Sequence, residues 1–244
     1  MKSIAVFSVK GGVGKTALAV NLAYASATQS ARRTLLWDLD AQGAATFTLK
    51  LAAKTGAAAR KLFAKDAELD AAIQPSAWPG LDVLAADASL RGLEKQLATD
   101  DKAKRLRKLL KDLDGDYDRI VLDCPPGLTE LAEQLFRAVD VLVVPMVPSP
   151  LSMRAYDQLV AHLARHHPKG PVVVPVFAMV DRRRALHRDL VDVDPDRAAI
   201  PYASAVEAMS VHRSPIAARA PGSAAAKAFN MLWTDIERRL VSQG

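Results

Sequence analysis

The sequence predicts an α/β chain: a doubly wound, mostly parallel sheet flanked by helices, folded as a single domain over residues 1–244. Three observations carry this. Short apolar runs alternate with longer segments of helical periodicity from end to end. The runs are rich in Val, Ile and Leu with little alternation, as expected of strands covered on both faces. A glycine-rich turn joins the first run to the first helical segment.

In chain order, strands are predicted at Ser3–Val9, Thr34–Trp37, Leu81–Ala85, Arg119–Leu122, Val141–Pro145 and Val172–Val180. Helices are predicted at Thr16–Ser30, Ala88–Asp112, Thr129–Val139 and Ser152–His166, where apolar residues recur at three- and four-residue spacings. The stretches 47–79 and 181–222 read as irregular. No linker or internal repeat divides the chain.

Composition narrows the function classes. Half of the residues are hydrophobic and a quarter charged, which excludes a disordered or collagen-like chain. The single cysteine, Cys124, excludes an intrachain disulfide and the paired thiolates of zinc or iron–sulfur sites. No signal-peptide pattern or run of eighteen apolar residues is present, so a cytoplasmic chain without a membrane span is expected. The net charge is +6, with 20 basic against 18 acidic residues in 1–150 and 13 against 9 in 151–244. This excess favours a polyanionic partner.

The most informative residues are Val9-Lys10-Gly11-Gly12-Val13-Gly14-Lys15-Thr16. Glycines between a strand and a helix let backbone N–H groups converge on phosphate oxygens, and the helix N-terminus adds partial positive charge. Lys15 is placed to reach the β- and γ-phosphates of ATP, and the Thr16 hydroxyl to ligate Mg²⁺. A generic P-loop carries Gly where this chain has Val9; here a second lysine, Lys10, follows instead.

Lys10-Gly11-Gly12-Val13-Gly14-Lys15-Thr16 resembles the deviant Walker A motif of the ParA/MinD family of P-loop ATPases. The resemblance implies an ATP-dependent homodimer in which Lys10 acts in trans on the partner's nucleotide. Trp37-Asp38-Leu39-Asp40-Ala41-Gln42-Gly43 is similar to the family's second acidic motif, which assigns Asp40 to orienting the attacking water and Asp38 to the Mg²⁺ hydration shell. Arg119–Asp123 is an apolar strand ending in a carboxylate, the Walker B pattern, so Asp123 joins Thr16, Asp38 and Asp40 in the expected metal set. Likeness farther along the chain places Met179, Asp181 and Pro201 against adenine. Ala17, Ala41 and Ala44 depart from the family pattern; Ala17 stands where a Thr commonly bonds the α-phosphate. A weaker nucleotide affinity or slower turnover is the expected consequence.

Family members adhere reversibly to nucleoid DNA or membrane, and a ParB-like or other adaptor protein triggers hydrolysis. The stripe Phe229, Leu232, Trp233, Ile236 and Leu240 would suit a MinD-like membrane anchor, but it reads first as the last sheet-covering helix. Non-specific DNA is therefore the expected surface, through Arg182, Arg183, Arg184 and Arg188 and through Arg213, Arg219 and Lys227. The basic group Lys102–Lys111 reads as a solvated helix face, and His166-His167 as a helix end, not a metal site. The implied activity is partitioning or positioning of plasmid or chromosomal DNA, or of a protein cargo, by a nucleoid-associated ATPase. The rival is a metabolic P-loop enzyme of ligase type.

Overall fold

The computed structural model describes residues 1–52, 72–87, 90 and 104–242. Eight strands form one sheet: β1 (Lys2–Val6), β2 (Thr34–Asp38), β3 (Ile73–Pro75), β4 (Leu81–Leu84), β5 (Arg119–Asp123), β6 (Val141–Met146), β7 (Val172–Val180) and β8 (Ala199–Pro201). Their spatial order is β3-β4-β2-β5-β1-β6-β7-β8. Every pairing is parallel except β3 with β4. The described helices are α1 (Lys15–Gln29), α2 (Ala44–Thr48), α3 (Arg105–Asp112), α4 (Glu130–Ala138), α5 (Pro150–His166), α6 (Ala185–Val193), α7 (Ser204–His212), α8 (Ile216–Arg219) and α9 (Ala224–Ser242).

Successive strand side chains point to opposite faces, so strands apolar at every position feed two cores. Ala5, Phe7, Leu35, Trp37, Ile120, Leu122 and Leu142 pack toward α3, α4 and α5. Ile4, Val6, Leu36, Val121, Val141 and Val143 pack toward α1 and α9. The expected stripe of α9 is fully committed to this second core: Phe229, Leu232, Trp233, Ile236 and Leu240 are all buried there. Trp233 also donates its indole N–H to Ser30 Oγ at 2.8 Å. Glu237 accepts from Arg119 at 2.7 and 2.8 Å and from Arg32 at 2.9 Å, which ties α9 to the start of β5 and to the α1–β2 turn. Among the described residues, no helix is long and apolar enough to cross a membrane.

The structure corrects several boundaries. β1 ends at Val6, not Val9, because Ser8 already begins the turn into α1. Of the helix predicted over 88–112, the described part is α3 with residues 90 and 104; residues 88–89 and 91–103, including Lys102, lie outside the described residues. Leu106, Leu109, Leu110 and Leu113 are buried as expected, with Lys108 and Lys111 exposed. The stretch 181–222 is not irregular: it holds α6, β8, α7 and α8. Each of these buries only one or two side chains, such as Val191, Met209 and Ile216, too few to mark a helical period. Likewise 47–79 contains the end of α2 and the edge strand β3, whose Pro75 is tolerated because it lies at a sheet edge.

Trp233→Ala should destabilise the chain by about 3–5 kcal/mol, the cost of emptying a fully buried aromatic site. Urea denaturation measures this; a loss under about 1 kcal/mol would mean that α9 is not integral to the core.

Candidate nucleotide and metal site

The site forms where β1, β2 and β5 end together. Parallel register sets Val6 beside Asp123 and Asp38 beside Asp123, so two carboxylates meet at the C-terminal edge of adjacent strands, the edge at which open α/β sheets bind ligands. The loop after β1 leads over this edge into α1. Gly12 and Gly14 have φ of 71° and 86°, left-handed values that glycine adopts without strain. A Cβ at Gly11, Gly12 or Gly14 would meet no atom within 4 Å, so the loop faces open space. Gly14 caps α1 without a side-chain hydrogen bond, and no acidic residue stands in the first turn. The first N–H groups of α1 are thus offered outward, as an anion site requires.

The two lysines of the loop have different surroundings. Lys15 is 7% exposed, and its charge acts on Asp123 and Cys124. Lys10 is exposed. Thr16 and Ala17 are half-buried beside them.

Asp123 is 1% exposed, and neither of its carboxylate oxygens has a hydrogen-bond partner among the described residues. Burial, followed by the neighbouring charge of Asp38, pushes its pKa up to about 8, against the opposing influence of the Thr16 hydroxyl and Lys15. An orphaned buried carboxylate, a lysine and an open glycine cradle fit a magnesium-bound nucleotide: the cation supplies the charge that Asp123 lacks, and the cradle receives phosphate. Asp38, also fully buried, is raised to about 6 by burial. Its Oδ2 accepts from the Thr46 N–H at 2.8 Å and the Thr46 hydroxyl at 2.7 Å, and Oδ1 from the Asp40 N–H at 3.3 Å. Asp38 therefore anchors the loop and α2 as well as adding charge to the site. Asp40 is half-exposed in the turn between them, its Oδ1 accepting from the Gln42 N–H at 2.9 Å. Ala41 lies in the same turn and Ala44 begins α2.

An apolar groove opens beside the loop. Gly14, Ala17, Met179 and Pro201 line it, together with Tyr202 and Phe229. A register irregularity in β7 between Phe177 and Val180 accompanies the φ of 56° at Met179. Sequence reasoning missed Tyr202 and Phe229; the first follows Pro201 directly, and the second belongs to a stripe read first as the last sheet-covering helix and otherwise as a membrane anchor. Asp181 is not part of this lining. Its carboxylate grips Arg183 at 2.8 and 2.9 Å, and its N–H donates to His187 Nδ1 at 3.0 Å.

The basic residues fall into two groups on different elements. In the β7–α6 turn, Arg183 is neutralised by Asp181, Arg182 lies 3.8 Å from Asp192, and Arg188 donates to the carbonyls of Arg182 and Arg183, while Arg184 is exposed. Acidic partners thus flank this group, Asp181 from the residue before the triplet and Asp192 from α6. In the second group Arg219 and Lys227 are exposed, but Arg213 donates to the Phe47 carbonyl at 2.7 Å and lies 4.4 Å over the Phe47 ring.

Comparison with known proteins agrees with this geometry. A family model described as an AAA domain matches residues 1–169. The chain is 33% identical over 199 residues to the chromosome partitioning protein ParA of Caulobacter vibrioides, covering 76% of this chain and 72% of that one. It is 32% identical over 191 residues to the sporulation initiation inhibitor protein Soj of Bacillus subtilis, covering 76% and 75%. Among solved structures, cobyrinic acid a,c-diamide synthase of Mycobacterium smegmatis, with an ATP analog and magnesium, superposes with a TM-score of 0.81 at 26% identity, covering 100% of this chain and 97% of that one. The septum site-determining protein MinD of Pyrococcus horikoshii, complexed with Mg-ADP, shares the fold with a TM-score of 0.80 at 22% identity, covering 100% and 98%. The fold and site define a P-loop nucleotide-binding protein, and the chain belongs to the ParA/MinD family of P-loop ATPases.

Asp123 also makes stability depend on pH. In the ligand-free chain its folded pKa of about 8 lies above the ordinary aspartate value of 3.8, so between these values the folded state holds a proton that the unfolded state has lost. Stability contributed by this group is complete at low pH and falls as pH rises toward about 8. Asp123→Asn should flatten the profile and be the more stable form at pH ~8. Denaturation midpoints measured across this range check it, and parallel profiles for the two proteins would contradict it.

Proposed function

We propose that this chain is an ATPase that dimerises on ATP, adheres to DNA without sequence preference, and partitions or positions plasmid or chromosomal DNA or a protein cargo, hydrolysis releasing it. The observation that carries this is the division of the lysines: Lys15 is buried with Asp123 in its own subunit, while Lys10 stands in solvent at the mouth of the same loop, free to meet a nucleotide held by a second copy. Its family membership and its likeness to the Caulobacter ParA support the same assignment.

In the reaction, ATP and water give ADP and phosphate. The backbone of Lys10–Thr16 holds the phosphates, Lys15 spans the β- and γ-oxygens, and Met179 and Pro201 border the base. Thr16 and Asp123, with Asp38 and Asp40 around them, would hold Mg²⁺, whose charge offsets that of the β- and γ-phosphates when bound. Asp40, half-exposed on a turn and close enough to raise the pKa of both Asp38 and Asp123, orients the attacking water in line with the γ-phosphorus. Such chemistry is slow until positioning is complete, which leaves room for a ParB-like or other adaptor to stimulate it. DNA phosphates are contacted by exposed members of the basic set, Arg184, Arg219 and Lys227 foremost, with Arg182 and Arg188 beside them; Arg183 and Arg213 are engaged within the fold. A cytoplasmic, nucleoid-associated location follows from DNA as the surface.

The likeness to the Mycobacterium smegmatis synthase favours one second reading, a small-molecule synthase that uses ATP. One experiment separates the two. With saturating ATP, Asp40→Ala should be trapped as a dimer on DNA, and raising salt from about 50 to 200 mM should weaken binding by about 10³–10⁵ if 6–10 phosphates are touched. Lys10→Ala should bind nucleotide yet stay monomeric and off DNA. A monomeric Asp40→Ala, or a Lys10→Ala that dimerises normally in light scattering, would favour the synthase.

A further inference from the structure

Away from the nucleotide site, α4 and α5 pack side by side and bring three ligating side chains to one point. Glu133 lies in the first turn of α4, His162 in the last turns of α5, and His167 at the residue that closes α5. Glu133 Oε1 is 2.8 Å from His162 Nε2, and Glu133 Oε2 is 2.7 Å from His167 Nε2. One ligand atom from each residue lies within 4.8 Å of the other two, which among the described residues marks this cluster as able to hold an ion. His166-His167 reads in sequence as a helix end and not a metal site; His167 does close α5, but its partners His162 and Glu133 are brought to it by the fold, Glu133 from 34 residues away.

We propose that Glu133, His162 and His167 form a Zn²⁺ site that clips α4 to α5. The donor set is two imidazoles and one carboxylate, the nitrogen–oxygen mixture that suits zinc, not the all-oxygen set of magnesium or calcium. A tetrahedral ion with donors about 2.0–2.2 Å away holds them roughly 3.3–3.5 Å apart. The present separations of 2.7 and 2.8 Å, each to a different carboxylate oxygen, need to open by about 0.5–0.8 Å, and all three donor atoms already lie within 4.8 Å of one another. Both imidazoles already direct Nε2 at the shared carboxylate; binding displaces the Nε2 protons that now bridge to it, each ring keeping its remaining proton on Nδ1.

The surroundings favour such a site. His167 is nearly enclosed, with 4% of its side chain exposed, whereas Glu133 and His162 are 24% and 28% exposed, so a fourth position on their side is open to water. The Phe136 ring meets His162 and His167 edge-on at 6.2 and 5.6 Å and fixes both imidazole planes. Arg137, 3.9 Å from Glu133 Oε2 and half-exposed, is a competing cation that is long enough to swing away. The clip also bears on the nucleotide site without belonging to it: α4 is the helix into which the chain runs from Asp123 through Cys124–Thr129.

The test is a calorimetric Zn²⁺ titration of the metal-stripped full chain in excess Mg²⁺, with Co²⁺ as a spectroscopic probe. One equivalent of Zn²⁺ should bind, raise the Tm and give, with Co²⁺, the intense visible bands of a tetrahedral complex. His162→Ala, at a partly exposed position, should weaken binding at least about tenfold. Glu133→Gln should do the same if His162→Ala proves misfolded by circular dichroism. Arg137→Ser, which removes the competing cation, should bind Zn²⁺ as tightly as the parent or more so. Absence of saturable binding up to about 100 times the protein concentration, affinity unchanged in the folded ligand variants, or a Co²⁺ spectrum that stays octahedral would overturn the proposal.

Discussion

A carboxylate with no partner, sealed at the end of the central strands, is the constraint around which the rest of this structure is arranged. Removing a carboxylate from water costs several kcal/mol unless charge or hydrogen bonds replace the hydration, and the burial of Asp123 outweighs what its neighbours supply. Asp38, set beside it by parallel register, compounds the difficulty, because two buried acids in neighbouring strands resist simultaneous ionisation. Lys15 and the Thr16 hydroxyl relieve this only in part. A site that is electrostatically incomplete by itself is one that a divalent cation completes.

The rest of the fold holds that arrangement rigid. Central strands buried on both faces keep the register that aligns Val6, Asp38 and Asp123, and a one-residue slip would turn both acids out of the site. Asp38 in turn positions the Asp40 turn through Thr46, so the residue assigned to water is held by the residue that shapes the charge. The α9 helix closes the opposite face, and its Phe229 reaches the groove beside Met179 and Pro201, joining core and nucleotide pocket in one side chain.

Much of this was legible in the sequence, for physical reasons that can be named. Central strands such as Arg119–Asp123 and Val141–Met146 are covered on both sides and so read as unbroken apolar runs. The phosphate loop was legible because its glycines answer a backbone requirement independent of the surrounding fold. Edge strands β3 and β8, three residues each, and the helices of 185–219 bury too few side chains to leave a period. Spatial charge pairing was hidden as well: Arg183 reads as free in an arginine triplet, yet folds back on Asp181, and Arg213 closes over Phe47, 166 residues distant. The Arg183–Asp181 pair is local, two residues apart, but long-range meetings such as Arg213 with Phe47 and the Glu133–His162–His167 cluster have no one-dimensional signature.

The most direct measurement of the central claim is the proton released when Mg²⁺ is added to the ATP-saturated chain near pH ~7, read by calorimetry in buffers of different ionisation enthalpy. Burial and the neighbouring Asp38 raise the Asp123 pKa to about 8 in the ligand-free chain, and bound phosphate charge acts in the same direction, so most molecules carry its proton before the metal arrives. The parent should then release close to one more proton per site than Asp123→Asn. Equal release from the two proteins would show that Asp123 is already ionised, and that the site is not completed by the cation.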